Sequence, residues 1–338
     1  MSATVPSMPL RAPGALDCVR MPALEWQARI ASATTPIGGL GWGCTAPRLA
    51  RLDAPVLAGS APGVDAWFGS APLRQGRSGG VHWQEDGRWA FGQLDVADAE
   101  TDLAETTRRA YLDVFAALRA CGRLQLLRLW NYLPRINEDG GGLERYRQFN
   151  IGRQQAFIEA GHDIGAGAPA ACALGTRGGG LGIRFLAGSV APRPLENPRQ
   201  VSAYRYSSVH GPRSPTFSRA ALADAGGGRL VLFVSGTASI VGEQSLHPGD
   251  VRAQVHETLL NLQAVLAAAR AQGSAAFTLG GLSCTVYVRH AEDAAAVREA
   301  IEAAAGPLPG AVYLQADICR SELLVEIEGH AFAPGVLR

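Results

Sequence analysis

Apolar and polar side chains alternate most regularly near the C-terminus, in AVYLQADICRSELLVEIE over 311–328. A period of two predicts two strands there, Val312 to Ile318 and Leu323 to Ile327, joined at Cys319-Arg320-Ser321. On the second strand Leu323, Val325 and Ile327 take one face, Leu324 and Glu326 the other. Elsewhere the period changes to that of a helix. Within 101–120, Ala110, Tyr111, Val114, Phe115 and Leu118 recur at i, i+3, i+4, with Asp102 and Glu105 in an acidic first turn and Cys121-Gly122 at the end. Within 247–273, Val255, Leu259, Leu262 and Leu266 form a second such face. Between and around these helices lie predicted strands. VHWQEDGRWAFGQLDV hinges at Glu85-Asp86-Gly87, LQLLRLWNYLP stops at Pro134, and RLVLFVSGTASI at 229–240 breaks at Gly236.

The order of elements repeats. SCTVYVRH at 283–290 matches LRLWNYLP, the helix at 293–306 matches that at 142–161, and AVYLQADICRSELLVEIEG matches AACALGTRGGGLGIRFLAG at 170–188. The chain therefore reads as a duplicated strand–helix–strand–helix–strand unit, an α+β protein with mixed sheets and helices packed on one face. Aligned this way, Arg177 falls near Arg320 and Arg184 near Glu326, so one copy keeps an acid where the other has an arginine. The expected division is a disordered lead-in at 1–20, an N-terminal half at 21–188, a polar, proline-rich linker at 189–228 and a C-terminal half at 229–338.

Composition narrows the function. The chain has 338 residues, 47% hydrophobic and 18% charged, with a net charge of +1, so no polyanionic partner such as nucleic acid is implied. No apolar run reaches the roughly 20 residues of a membrane helix. MSATVPSMPLRAPG lacks the charged start and apolar core of a secretory signal, which points to the cytoplasm. All 31 basic residues are arginine. Without lysine there is no Schiff base, no pyridoxal phosphate attachment and no Walker-type phosphate lysine. The cysteines (Cys18, Cys44, Cys121, Cys172, Cys284, Cys319) and the seven histidines are scattered, with no CxxC, HxxxH or HExxH. That spacing favours reduced thiols and gives no metal site.

The chemistry concentrates in the C-terminal alternating stretch. Glu326 lies among apolar neighbours, a setting that raises a carboxyl pKa and suits it to proton donation. Arg320 can fork onto a substrate carboxylate. The same stretch also reads as an edge strand with solvated acids. In the linker, Tyr204-Arg205-Tyr206 gathers hydroxyls and a guanidinium that either line an anionic pocket or simply cross the domain face.

SGTASI before a helix and CRSELLVEIE at the end resemble the Rid (YjgF-like) family of small trimeric imine deaminases over 228–332. In that family an arginine at the equivalent joint holds a substrate carboxylate. LWNYLPRIN at 129–137, GLERYRQFNIGRQQAF at 142–157, SGTASIVG at 235–242 and ADICRSELLVEIEG at 316–329 together resemble the chorismatases. These are built from two Rid-like, chorismate-mutase-like halves and release pyruvate from chorismate without a cofactor. The resemblance implies Glu326 as the acid that protonates the enol ether methylene. It also implies arginine ligands for the two substrate carboxylates among Arg147, Arg153, Arg205 and Arg320, with Arg153, three residues after Asn150, preferred over Arg147. Tyr204 and Tyr206 would bond substrate oxygens, and Ala238 would line the pocket. Cys319 stands where family members forming 3-hydroxybenzoate carry cysteine and the hydrolytic members carry a smaller residue. It is expected to assist aromatisation as a nucleophile or proton relay, and some relatives also give 4-hydroxybenzoate. The alternatives are the hydrolytic chorismatase giving a diene-diol, a Rid-type imine deaminase, and a non-catalytic binder of small carboxylates. A fused duplication is expected to be a monomer, since its halves cover each other.

Overall fold

The computed structural model describes residues 14–31, 36–70, 72–97, 102–122 and 125–338. Most of the expected lead-in lies outside these residues. The chain begins with a small sheet of its own: β1 (Asp17–Pro22), a helix α1 (Ala23–Ile30), β2 (Gly38–Trp42), β3 (Ala50–Leu52) and β4 (Gly63–Phe68), in the order β1-β4-β2-β3. The expected N-terminal half, begun at Met21, thus contains most of a separate sheet, whose first strand starts at Asp17 within the expected lead-in.

Next come β5 (Arg74–Ser78), β6 (Val81–Glu85), β7 (Trp89–Val96), α2 (Leu103–Ala120), β8 (Gln125–Pro134), α3 (Arg145–Glu159), β9 (Ala170–Thr176) and β10 (Leu181–Gly188). The C-terminal half follows with β11 (Arg193–Leu195), β12 (Ala220–Gly226), β13 (Arg229–Ala238), a two-stranded ribbon of β14 (Ile240–Val241) and β15 (Gln244–Ser245), α4 (Val251–Gln272), β16 (Ser283–Val288), α5 (Ala294–Ala305), β17 (Val312–Gln315) and β18 (Val325–Pro334). The two large sheets have the same topology. One runs β5-β6-β7-β10-β8-β9 and the other β11-β12-β13-β18-β16-β17, each with one parallel pair, β8–β9 and β16–β17. That identity of order is the duplication in three dimensions.

The register also supports the paired positions. Trp130 opposes Arg184, and Tyr287 opposes Glu326, at the corresponding places of the two sheets. The interval 189–228 is not purely a linker, because β11 and β12 form the edge of the C-terminal sheet. Their sequences, RPL and AALADAG, carry few β-branched or aromatic residues, so local propensity did not mark them as strands. Likewise β13 does not end at Gly236. It runs to Ala238 through a register shift between Val234 and Thr237, a bulge that re-aims the strand.

Helices cover one face of each large sheet. The amphipathic face Ala110, Tyr111, Val114, Phe115 and Leu118 is buried against the N-terminal sheet, and Val255, Leu259, Leu262 and Leu266 against the C-terminal one. Asp102 and Asp250 cap α2 and α4 by accepting from Glu105 N and Ala253 N, each such cap being worth about 1 kcal/mol. The helix-free faces meet each other and the small sheet. Trp67, Trp130 and Phe233, one from each sheet, form the centre of this shared core, with ring centroids 6.1 and 5.8 Å from Trp67. Truncating such a side chain to Ala costs about 3–5 kcal/mol, so the three sheets are held as one body.

Candidate active site

Glu326 stands on β18 with its neighbours arranged as alternation predicts, Val325 and Ile327 facing the helices and Glu326 facing the other half. Leu323 departs from the pattern. The strand starts at Val325, and Leu323 packs into the shared core instead. Glu326 is 3% exposed. Burial, and then the charge of Glu328 two residues on, push its pKa up to about 8, against the opposing pull of Arg128 and Arg219. The carboxyl fits because Gly236, on the bulge of β13, has no side chain. A Cβ there would overlap Glu326 Oε1 and lie 3.3 Å from Cys172 Cβ.

Behind Glu326 the buried Glu328 is satisfied by an ion pair with Arg128 from β8 and by Tyr287, whose hydroxyl donates at 2.7 Å. A charge at this depth persists only when paired and hydrogen-bonded.

In front of Glu326 lies a cavity of about 400 Å³. From α3 it receives Tyr146 and Arg147, from the 189–228 segment Tyr206 and Arg219, from β13 Ala238, and from the turn before β18 Cys319 and Arg320. Arg219 is nearly buried, stacks on Phe217 and Tyr206, and donates from Nη2 to Val201 O and Tyr206 Oη at 2.8 and 2.7 Å. Its Nε has no partner. Arg320 lies over the Tyr206 ring and donates from Nη1 to Glu243 O and Ser245 Oγ, while Nη2 is buried without a partner. Unmet guanidinium donors beside an acid form an anion receptor.

The turn that carries Cys319 and Arg320 is held by Arg289. Its guanidinium donates to the carbonyls of Leu323, Ile318 and Arg320, to Asp317 Oδ1, and across to Asn137 Oδ1 of the N-terminal half. Cys319 is half-buried, and its thiol is pushed up to about 12, first by burial and then by Glu326, Glu322 and Glu144. It therefore rests as a thiol and not as a thiolate.

Of the residues the sequence suggested, Glu326, Cys319, Arg320, Arg147, Tyr206 and Ala238 line one cavity. Arg147 sits at the rim, ion-paired with Glu144 at 3.2 Å. Asn150 is one layer back, buried, with its Oδ1 unpartnered. Arg153 does not line it. It is buried in the N-terminal core with its guanidinium over Tyr111 and Phe157, because its side of α3 packs on α2, where Gly152 abuts Ala104. Tyr204 and Arg205 also point elsewhere, Arg205 being exposed and lying against the Tyr204 ring. Sequence reasoning missed Arg219, Tyr146 and Gly236. The positions of Arg219 just before β12 and Tyr146 one residue from Arg147 carry no periodic signal of their own.

Fold and pocket define an acid-and-arginine site set between two copies of one α+β unit. The N-terminal copy matches the family model "Chorismatase FkbO/Hyg5-like, N-terminal" over residues 65–187, and the C-terminal copy matches "Endoribonuclease L-PSP" over 217–333. The chain is 38% identical over 281 residues to the 3-hydroxybenzoate synthase of Streptomyces hygroscopicus, covering 79% of this chain and 81% of that protein. It is 36% identical to a chorismatase of the same organism, covering 79% of this chain and 78% of the relative. A crystal structure of a chorismatase, 30% identical, superposes with a TM-score of 0.82 over 95% of this chain and 100% of that one. This protein belongs to the chorismatase family and is an enzyme.

Proposed function

We propose that the enzyme cleaves the enolpyruvyl ether of chorismate to 3-hydroxybenzoate and pyruvate. The observation that carries this reading is a carboxyl held protonated near neutral pH, Glu326, in the same cavity as two guanidiniums with unmet donors, Arg219 and Arg320. Chorismate presents two carboxylates and an acid-labile enol ether. Arg320 and Arg219 take the carboxylates as charge-assisted ligands, Arg147 guards the rim, and Tyr206 is held by Arg219 to bond a substrate oxygen.

Glu326 transfers its proton to the terminal methylene, giving an oxocarbenium ion that the newly formed carboxylate stabilises. As the bond from the ether oxygen to ring C3 breaks and pyruvate leaves, the neighbouring 4-hydroxyl oxygen closes onto C3 and its proton returns to the Glu326 carboxylate. The resulting 3,4-epoxide takes a proton on oxygen and opens at C4, and loss of the C3 proton leaves the aromatic 3-hydroxybenzoate. Hydroxybenzoate plus pyruvate equals chorismate with no water added, whereas the diene-diol requires one. The Cys319 thiol, at the mouth of the same carboxyl, relays the ring proton during aromatisation. The similarity to a protein named 3-hydroxybenzoate synthase supports this product over the diene-diol. The protein acts as a monomer, because each half covers the helix-free face of the other.

The test is turnover of chorismate by the purified protein, with products separated by chromatography. Pyruvate and 3-hydroxybenzoate from the wild type, loss of both in Glu326→Gln, and diversion to the diene-diol in Cys319→Ala are expected. Diene-diol from the wild type would overturn the product assignment, and no turnover would overturn the substrate. The same chromatograms give the proportion of 4-hydroxybenzoate. Sedimentation as a trimer would refute the monomer.

A further inference from the structure

The N-terminal half has a cavity of its own, about 630 Å³, on the helix-free face of its sheet. The strand register shows how it is built. Arg77 on β5 opposes His82 on β6, His82 opposes Gln93 on β7, and Gln93 opposes Arg184 on β10. Directly opposed residues share a face, with adjacent strands about 4.8 Å apart, so these side chains form one row across four strands. Two residues along, Gln75, Gln84 and Phe91 form a second row on the same face. Ile37, Gly38 and Arg48 from the small sheet wall the space.

The cavity lies over β5, β6 and β7, and of the pair that corresponds to Glu326 and Ala238 it takes Gln93 and not Arg184. Glu326 has Ala238 beside it on β13, and Arg184 has Gln93 beside it on β7. The arginine that replaces the acid is engaged with Leu94 O and Asp95 Oδ1, at 2.6 Å each, and has no proton to give.

The lining carries basic side chains that face solvent and one buried amide oxygen without a donor. Arg48, Arg77 and His82 line the cavity without any carboxylate. Among the described residues, the exposed side chains of Arg48 and His82 make no hydrogen bond or ion pair with the protein. Arg77 uses only Nε, on Gly79 O at 2.9 Å. The Oε1 of Gln93 is buried with no donor. Arg48 is also held at φ 59°, a left-handed conformation that is rare and costly outside glycine.

We propose that this cavity is a second, non-catalytic binding site for a small ring carboxylate that carries a hydroxyl group. Arg77 and Arg48, with His82 beside Arg77 on the next strand, take the carboxylate. The hydroxyl donates to Gln93 Oε1, and the ring lies against Phe91. Each unmet group then has a partner of the right kind: donors meet an anion, and the lone acceptor meets a donor.

The probes are 3-hydroxybenzoate, benzoate and inorganic phosphate, titrated calorimetrically into the full chain carrying Arg320→Ala, which disables the catalytic pocket. In that background turnover plays no part, so the outcome is separate from that of the proposed reaction. The expected result is one equivalent of 3-hydroxybenzoate bound, abolished by adding Arg77→Ser and His82→Ser at these two exposed positions. Gln93→Leu should weaken 3-hydroxybenzoate at least tenfold while leaving the weaker binding of benzoate unchanged. No binding in the Arg320→Ala background, or binding indifferent to the Arg77 and His82 substitutions, overturns the site. Phosphate competing equally well, with no effect of Gln93→Leu, overturns the ring-acid assignment in favour of a general anion patch.

Discussion

Gly236 and Glu326 share one space: the side chain that Gly236 lacks is the volume that the Glu326 carboxyl fills. They lie on neighbouring strands, β13 and β18; Ala238 is the register partner of the acid, and the bulge between Val234 and Thr237 leaves the glycine against its carboxyl. Gly236→Ala should therefore displace the carboxyl without unfolding the sheet. Misplacing a reacting group by an ångström costs about 100-fold in rate, and that loss in kcat, with a thermal midpoint within a few degrees of wild type, is the expected result. A variant with unchanged kcat would show that Glu326 has another resting position.

Because the Glu326 pKa is raised to about 8, the acid form that donates the proton persists at neutral pH. The rate should be level below that value and fall as pH rises through it. The same shift bears on stability. The folded state holds this proton between the ordinary glutamate pKa, about 4.3, and about 8, whereas the unfolded chain releases it. Stability therefore declines across that window as pH rises. Urea titrations at pH 6 and pH 8.5 should show a loss in wild type that is smaller in Glu326→Gln.

Arg219 and Arg153 provide a contrast. Arg219→Ala removes a guanidinium from the cavity and leaves Tyr206 Oη without its donor, so KM should rise at least tenfold. Arg153→Met should leave KM unchanged. With Nε and Nη2 buried and unpartnered, an apolar residue of similar length is expected to be neutral or stabilising by about 1 kcal/mol or more. Steady-state kinetics and denaturant midpoints on the two variants test both statements.

Arg289 does not itself line the cavity, yet it ties the Cys319–Arg320 turn to Asn137 of the other half. Arg289→Lys, which keeps the charge and loses the fork, should raise KM and shift product from 3-hydroxybenzoate towards diene-diol. Arg289→Gln should do the same more strongly. A fall in the thermal midpoint with an unchanged product ratio would confine Arg289 to a structural role.

Much of the fold was legible. Helix faces such as Ala110, Tyr111 and Val114, and the alternation around Glu326, are local patterns that burial then enforces. The repeat was legible because both halves keep the same order of elements. The small sheet and the strands at 193–195 and 220–226 were not, since short, glycine- or alanine-rich strands are stabilised by neighbours and not by their own propensity. Arg153 shows the same limit at the site. Its spacing from Asn150 put it near the right helix turn, but which side of α3 meets α2 depends on packing.

The duplicated α+β unit, the lysine-free chemistry and an acid set into an apolar strand were readable from the chain alone, because each is written in residues close together along it. Only the tertiary structure shows that Arg219, Tyr146 and Gly236 surround that acid, that Glu328 and Arg128 stand behind it, and that Arg184, at the matching place in the other sheet, is engaged with Leu94 O and Asp95. Those relations join residues from separate strands and helices, in places about 200 positions apart, as with Arg128 and Glu328. Only the docking of one sheet face on another brings them within reach.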